Sequence, residues 1–336
     1  MAKQIQEAYI VAATRTPIGR SHKGYFRNTR PDDLLATVLK SALAQVPGLD
    51  PASIEDVICG CAIPEGSQGL NVARIGAVLA GLPHSVGGIT VDRFCAAGLS
   101  AVQMAADRIR VGEADVMIAA GTQSMSMVPM MGNSPSLSPA IFADTDNVNN
   151  YGIAYGMGLT AEKVATQWKI SREAQDEFAY HSHMKALAAM KAGHFANEMT
   201  TVEVTDRNVN LETAEVTTTT RSVSIDEGAR PDTTVEGLSK LRAVFSARGS
   251  VTAGNSSQTS DGAGALILVS EAALKRFNLT PLAKFSSYAT RGVPPHIMGI
   301  GPMLLCGINI MDDDHMFDYS QLPASFCIHA YIRIIR

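Results

Sequence analysis

"VDRFCAAGLSAVQMAADRIR", residues 91–110, joins a short β-rich run to a helix, and its single cysteine, Cys95, stands at the join. Leu99, Val102, Ala106 and Ile109 recur at helical spacing, so the stretch predicts a helix from about Cys95 to Arg110. A thiol at a helix start meets free backbone N–H groups and the positive end of the helix dipole, which favour the nucleophilic thiolate. Ala96, Ala97 and Gly98 are small and leave room above it for a carbonyl group. Taken alone, the stretch fits a small core cysteine opening a buried helix better than a reactive thiol.

Working outward, the chain alternates strand and helix. "AYIVAA" reads as a strand, and Pro31 opens a helix in which Leu35, Val38, Leu39 and Leu43 line one face. "DVICGCAI" then reads as a strand, "NVARIGAVLAGL" as a helix, "GGITV" as a strand, and "VMIAAG" as the strand after the Cys95 helix. Repeated β-α-β units imply an α/β fold with a largely parallel sheet covered by helices. From about Thr122 the text turns into an insertion of loops and helices, one helix capped by Ser171 and ended at Gly193, with the Thr-rich "EVTTTTRSVSIDEGARPD" behind it. "GSVTAGNSSQTSDGAGALILVS" returns to a Gly/Ser loop feeding an apolar strand. "PLAKFSSYATRGVPP" then echoes the opening "EAYIVAATRTPIG" in its Ala-Thr-Arg. The last 34 residues show neither helical stripe nor strand order, and nothing assigns them to the sheet.

The chain has 336 residues, 46% hydrophobic and 18% charged, enough for a large core and roughly two domains. A formal charge of -4, without a basic block, argues against nucleic acid as a partner. No apolar run is long enough for a membrane span, and the N-terminus lacks a signal-peptide pattern, so a cytoplasmic location is expected. Five cysteines, an odd number in a chain this large, read as reduced thiols.

Other signals favour plain structural readings. "GMGLTA", 156–161, has dinucleotide-fingerprint spacing, but no strand precedes it. Cys59 and Cys61 lack a second ligand pair and read as core residues, so no metal is expected. His181 and His183 lie two apart on a helix and point in different directions, as on a solvated face. The methionines from Met125 to Met131 fit loop packing or a substrate cover.

The segment from Val91 to Pro129 resembles the acyl-enzyme segment of thiolases, and "YGMGLTAEKVA", "RPDTTVEGLSKLRAVF" and "GSVTAGNSSQTSDGAGA" resemble further thiolase motifs in the family's order, over about Ile5 to Pro302. The resemblance is strongest to degradative 3-ketoacyl-CoA thiolases, or acetyl-CoA acyltransferases, of fatty-acid β-oxidation. It implies a layered α-β-α fold with a mixed sheet. Residues 1–121 and 249–275 would form the N-terminal domain, 122–248 an inserted loop domain, and 276–302 the start of an incomplete C-terminal domain; 303–336 lie outside the family pattern.

By the same resemblance Cys95 is the nucleophile that takes the acyl group from a 3-ketoacyl-CoA and passes it to a second CoA. Arg230 matches an arginine near the adenine end of CoA, Phe245 and Ala253 match apolar positions along the pantetheine, Ser257 matches a serine bonding a pantetheine amide, and Met157 matches a loop methionine near the acyl pocket. Gly156 and Gly237 stand where some relatives have a histidine and a serine, so those contacts are expected to be lost or replaced. CoA is a substrate, no separate cofactor is implied, and a homodimer or homotetramer is expected. The family's Asn-Glu-Ala-Phe, Gly-His-Pro and Cys-x-Gly motifs are missing, and His194, Cys306, Cys327 and His329 lack their surroundings. Loss of a positioned acid or base costs about 10²- to 10⁴-fold in rate, so full turnover is expected to be severely impaired. The rival expectation is an inactive remnant that binds or oligomerises; an NAD enzyme is a third reading, resting on "GMGLTA" alone.

Overall fold

The computed structural model describes residues 5–143, 146–302 and the backbone of 330–335. Chain order runs β1 (Ala8–Arg15), β2 (Gly19–Arg20), α1 (Pro31–Ala44), β3 (Asp56–Gly60), α2 (Val72–Leu79), β4 (Gly87–Val91), α3 (Ala97–Arg110) and β5 (Val116–Ser124). An excursion follows through α4 (Val148–Gly152), α5 (Met157–Gln167), α6 (Arg172–Lys191), β6 (Val202–Val209), β7 (Val216–Val223) and α7 (Val235–Ser239). The chain then returns through β8 (Ser260–Ser270), α8 (Glu271–Phe277), β9 (Ala283–Thr290) and β10 (Ala330–Ile335).

The main sheet has the order β10-β9-β1-β8-β5-β3-β4, with β2 pairing β8. β3 runs parallel to both β4 and β5, the geometry that crossover helices α2 and α3 impose, while β8 is antiparallel to β1 and β5. The mixed sheet implied by the resemblance is therefore present, whereas the largely parallel sheet read from the β-α-β units is not: the pairings of β1, β2, β8, β9 and β10 are antiparallel. Its two faces are read directly from residue alternation. On β5, Val116, Ile118 and Ala120 join Leu34, Leu35, Val38 and Leu39 of α1, whereas Met117 and Ala119 join Ala101, Val102, Ala105 and Ile109 of α3. Both faces are buried, which gives the α-β-α layering. The α1 stripe is wider than the spacing predicts: Leu34 and Ala42 are fully buried, and Leu43 lies only partly so.

Three further expectations need correction. The Thr-rich stretch is not loop: β6 and β7 pair antiparallel from Val202↔Val223 to Val209↔Val216. Val202, Val204 and Val223 anchor this hairpin in the core beside α1, while Thr217 to Thr220 are exposed, so the period-2 apolar signal is confined to its base. The end of the chain does enter the sheet, with β10 lying antiparallel on β9 between Ala330↔Thr290 and Ile335↔Lys284. Residues 303–329 and 336, which carry Cys306, Cys327 and His329, lie outside the described residues. The helix after β4 begins at Ala97, and Cys95 belongs to a 3₁₀ turn, Phe94–Ala96, leading into it. The two echoing segments meet as neighbours: β1 and β9 pair antiparallel through Tyr9↔Lys284 and Ile10↔Ala283. Ser171 caps α6 by accepting the Ala174 N–H, and Gly193 follows the helix with φ +73°, as read from the sequence.

The excursion starts and ends on adjacent strands, β5 and β8, in register at Ser124↔Asp261. Asp261 is fully buried there and accepts hydrogen bonds from Ser126 N (2.9 Å), Ser126 Oγ (2.5 Å) and Ser124 Oγ (3.3 Å). Among the described residues no helix is long and apolar enough to cross a membrane.

Candidate active site

Cys95 follows the C-terminal end of β4, on the edge of the sheet where open α/β folds place ligands. It is exposed, in a turn pinned on three sides. Phe94 has φ +45°, a left-handed conformation that costs a non-glycine residue about 1 kcal/mol, and its N–H donates to Asp92 Oδ1 at 2.7 Å. From β9, Tyr288 Oη accepts from Arg93 Nη1 (2.7 Å) and bonds Ser100 Oγ (3.0 Å), tying the turn to α3. Beneath, β3 backs directly onto the first turn of α3: a Cβ on Gly60 would meet Ala97 O at 2.7 Å, so only glycine allows this approach. A Cβ on Gly98, three residues after Cys95, would meet nothing within 4 Å. Sequence reasoning missed Tyr288 and Arg93, which carry no motif of their own.

Cys59 and Cys61 are different in kind. Both are buried free thiols on or just after β3. Desolvation pushes the Cys59 thiol well up, and Cys61 is pushed up to about 11 by its own burial, so both remain protonated core groups at neutral pH. "GMGLTA" follows the short helix α4 rather than a strand, and Gly156 becomes the N-cap of α5, so the dinucleotide geometry is not formed.

Four of the positions named from the resemblance lie on α5 and on the segment 245–257. Met157 opens α5 and is half-exposed; the Phe245 ring lies against Gly158, where any side chain would collide with it. Ala253 and Ser257 are exposed on the loop 249–257, whose Gly254 packs under Leu238 and Leu241. Arg230 stands on a neighbouring turn, exposed, with its guanidinium paired to Asp232 at 3.2 Å. That hydrogen bond raises the Arg230 pKa and holds the Asp232 carboxyl below the usual range. The Arg230 backbone N–H donates to His183 Nδ1 (3.1 Å), so His183 faces this turn, while His181 is solvated as expected. Gly156, in place of a family histidine, has open space where a Cβ would stand. Among the described residues no hydrogen bond joins the Cys95 thiol to any of these positions.

A concavity of about 640 Å³, lined by Asp50, Glu55, Asp115, Arg276 and Phe277, lies at the opposite end of the strands, before β3 and β5, and includes none of the matched residues. Among the described residues no group of three or more His, Cys, Asp or Glu could hold a metal ion.

With this geometry in view, the family described as "Thiolase, N-terminal domain" matches residues 8–272. The 3-ketoacyl-CoA thiolase of Bacillus subtilis (strain 168) is 44% identical over 333 residues, 96% of this chain and 83% of that protein. That of Pseudoalteromonas translucida (strain TAC 125) is 45% identical over 300 residues, covering 88% and 72%. Among solved structures, human mitochondrial 3-ketoacyl-CoA thiolase in complex with CoA superposes with TM-score 0.75 at 33% identity, over 90% of this chain and 74% of that one. The acetyl-CoA acetyltransferase of Bacillus anthracis gives 0.77 at 33%, over 91% and 76%. The family model spans residues 8–272 and the relatives are matched across most of their own length, so this chain belongs to the thiolase family.

Proposed function

We propose that the chain is a CoA-dependent acyltransferase that cleaves a 3-ketoacyl-CoA into acetyl-CoA and an acyl-CoA two carbons shorter. The observation that carries this is the placement of Cys95, exposed in a strained turn at the strand ends, with open space over Gly98. The Cys95 sulfur attacks the keto carbon, the bond between that carbon and the α-carbon breaks, and its electron pair leaves with the acetyl-CoA fragment, which takes up a proton. The acyl group stays on sulfur as a thioester until the thiol of a second CoA displaces it. Met157 would border the acyl chain, Phe245, Ala253 and Ser257 the pantetheine, and Arg230 the adenine end. CoA enters as substrate, and no resident cofactor is required.

Free thiols at Cys59, Cys61 and Cys95 support a reducing, cytoplasmic setting, and the relatives' names support a place in β-oxidation. β4 ends the sheet with Ile89 42% exposed, which supports assembly as a homodimer or larger homo-oligomer. The step that Cys95 itself carries is acylation by the 3-ketoacyl-CoA, and that step can be read directly. Intact-protein mass after exposure to acetoacetyl-CoA should show an acetyl adduct that Cys95→Ala abolishes. An unmodified wild-type chain, or an adduct that survives the substitution, removes Cys95 from the reaction and leaves the binding-only reading.

A further inference from the structure

Two buried carboxyl groups in the excursion have no part in the chemistry above, yet both close onto the same loop. Glu162, in the middle of α5, accepts Ser250 N at 3.0 Å on one oxygen and Val251 N at 2.9 Å on the other. It is only 8% exposed, and the Gly249 backbone packs so closely on its carboxyl group that no side chain fits there. Asp176, on α6 and 1% exposed, receives Arg172 Nε at 2.7 Å and Asn255 Nδ2 at 2.9 Å. Asn255 spreads the constraint along the loop: its Oδ1 accepts Thr252 N (2.7 Å) and its Nδ2 also donates to Ser250 O (3.1 Å). Arg172 extends it to α7, donating to Leu238 O (2.6 Å) and Leu241 O (2.9 Å), the residues that pack over Gly254.

We propose that Glu162 and Asp176 are positioning residues for the pantetheine arm of CoA, holding loop 249–257 so that Ala253 and Ser257 face the ligand. This rests on the assignment of those two positions to the CoA site in the preceding subsection. A loop rich in Gly, Ser and Thr has little apolar surface to fix its shape, and Ala253 and Ser257 are both exposed. Its conformation is held through backbone N–H and C=O groups: Glu162 accepts two of these N–H groups directly, and Asp176 holds the Asn255 side chain, which pairs with Thr252 N and Ser250 O. Charge-assisted bonds from backbone N–H groups to a carboxylate are the strongest available to a loop of this composition. Glu162 also lies one and a half helical turns after Met157, so the same helix that borders the acyl end clamps the loop that borders the pantetheine. Arg230, by contrast, is tied to His183 and Asp232 and has no bond to either acid.

The test uses the full chain and two probes, CoA and its adenine half, 3′-phosphoadenosine 5′-diphosphate, titrated calorimetrically. Glu162→Gln keeps the size but turns one acceptor into an NH₂ group facing a backbone N–H. It should weaken CoA binding about tenfold or more, the scale of one lost charge-assisted hydrogen bond, and leave the adenine half within about twofold. Asp176→Asn, which preserves both Glu162 bonds, should act in the same selective way and serves if the first variant does not fold; far-UV circular dichroism and thermal unfolding report folding for both. Equal CoA affinity in a folded variant and wild type overturns the proposal. Parallel loss of both probes also overturns it, because a merely structural role loosens the adenine side as well. Wild-type protein that binds the adenine half no less tightly than CoA overturns it too. Wild-type protein that binds neither overturns the CoA reading itself, and the wild-type titration distinguishes that failure from the others.

Discussion

His183 shows how one side chain can make the excursion sensitive to pH. Its Nδ1 accepts the Arg230 N–H, which only an unprotonated nitrogen can do, and its pKa is lowered first by burial and then by the Arg230 charge, against a smaller opposing effect of Asp232. Between the depressed folded value and the ordinary one of about 6.5, the unfolded chain binds more protons, so stability rises with pH across that window. The contribution is complete above about pH 6.5 and is lost as pH falls through the lowered value. The difference in urea unfolding between wild type and His183→Ala should therefore be greatest above about pH 6.5 and shrink as the pH falls below it. A difference that grows with acid would contradict the hydrogen-bond account. Residues of this kind are nearly illegible in sequence. The spacing of His181 and His183 separates their directions, but only the fold shows that one of them meets Arg230. The helix after Cys95 was legible from its apolar stripe, whereas the role of the thiol came from the resemblance to thiolases. Tyr288 was not legible, since it reaches the Cys95 turn from a strand 193 positions away (288 minus 95).

Helix α3 is the element on which the site depends, and its two nearest glycines should respond oppositely. Gly60→Ala drives a methyl group into the backbone of Ala97 and Gly98, so it should cost about 1–3 kcal/mol in urea unfolding and reduce acyl-adduct formation at Cys95. Gly98→Ala meets open space and improves helix propensity, so stability should rise by about 0.5–1 kcal/mol while the added methyl crowds the acyl position and slows adduct formation. If both variants were equally destabilising, the close packing of β3 on α3 would not be what fixes the turn. At this scale the sequence was informative wherever apolar residues kept a period. α1, β3, α2, β4 and β5 all follow theirs, and the Ser171 cap marked α6 to the residue. The β6–β7 hairpin escaped because Thr217 to Thr220 are exposed on both faces. Their β-branched preference for strands was the remaining signal, and it is a weak one without a buried face.

The whole molecule is a sheet with a long excursion leaving and rejoining it between neighbouring strands, and Asp261 closes that root. Its carboxyl group is the acceptor for three donors from Ser124 and Ser126 in a place without solvent. Asp261→Ala leaves those donors unpaired and should cost about 3 kcal/mol or more, seen as a lower urea midpoint. Limited proteolysis of the variant should cut within 122–248 before the sheet is attacked; cleavage at an unchanged rate would mean that other contacts hold the root. By itself, the sequence determined the α/β class, the order β1, α1, β3, α2, β4, α3, β5 and the return at β8, because burial imposes short periods that survive in one dimension. Only the tertiary structure decided that β1 and β9 lie side by side, that Tyr288 and Gly60 shape the Cys95 turn, and that Glu162 and Asp176 close on loop 249–257. Each of those depends on residues far apart in the chain, and their pairing is fixed by the packing of the sheet and the path of the excursion, which leave no local pattern.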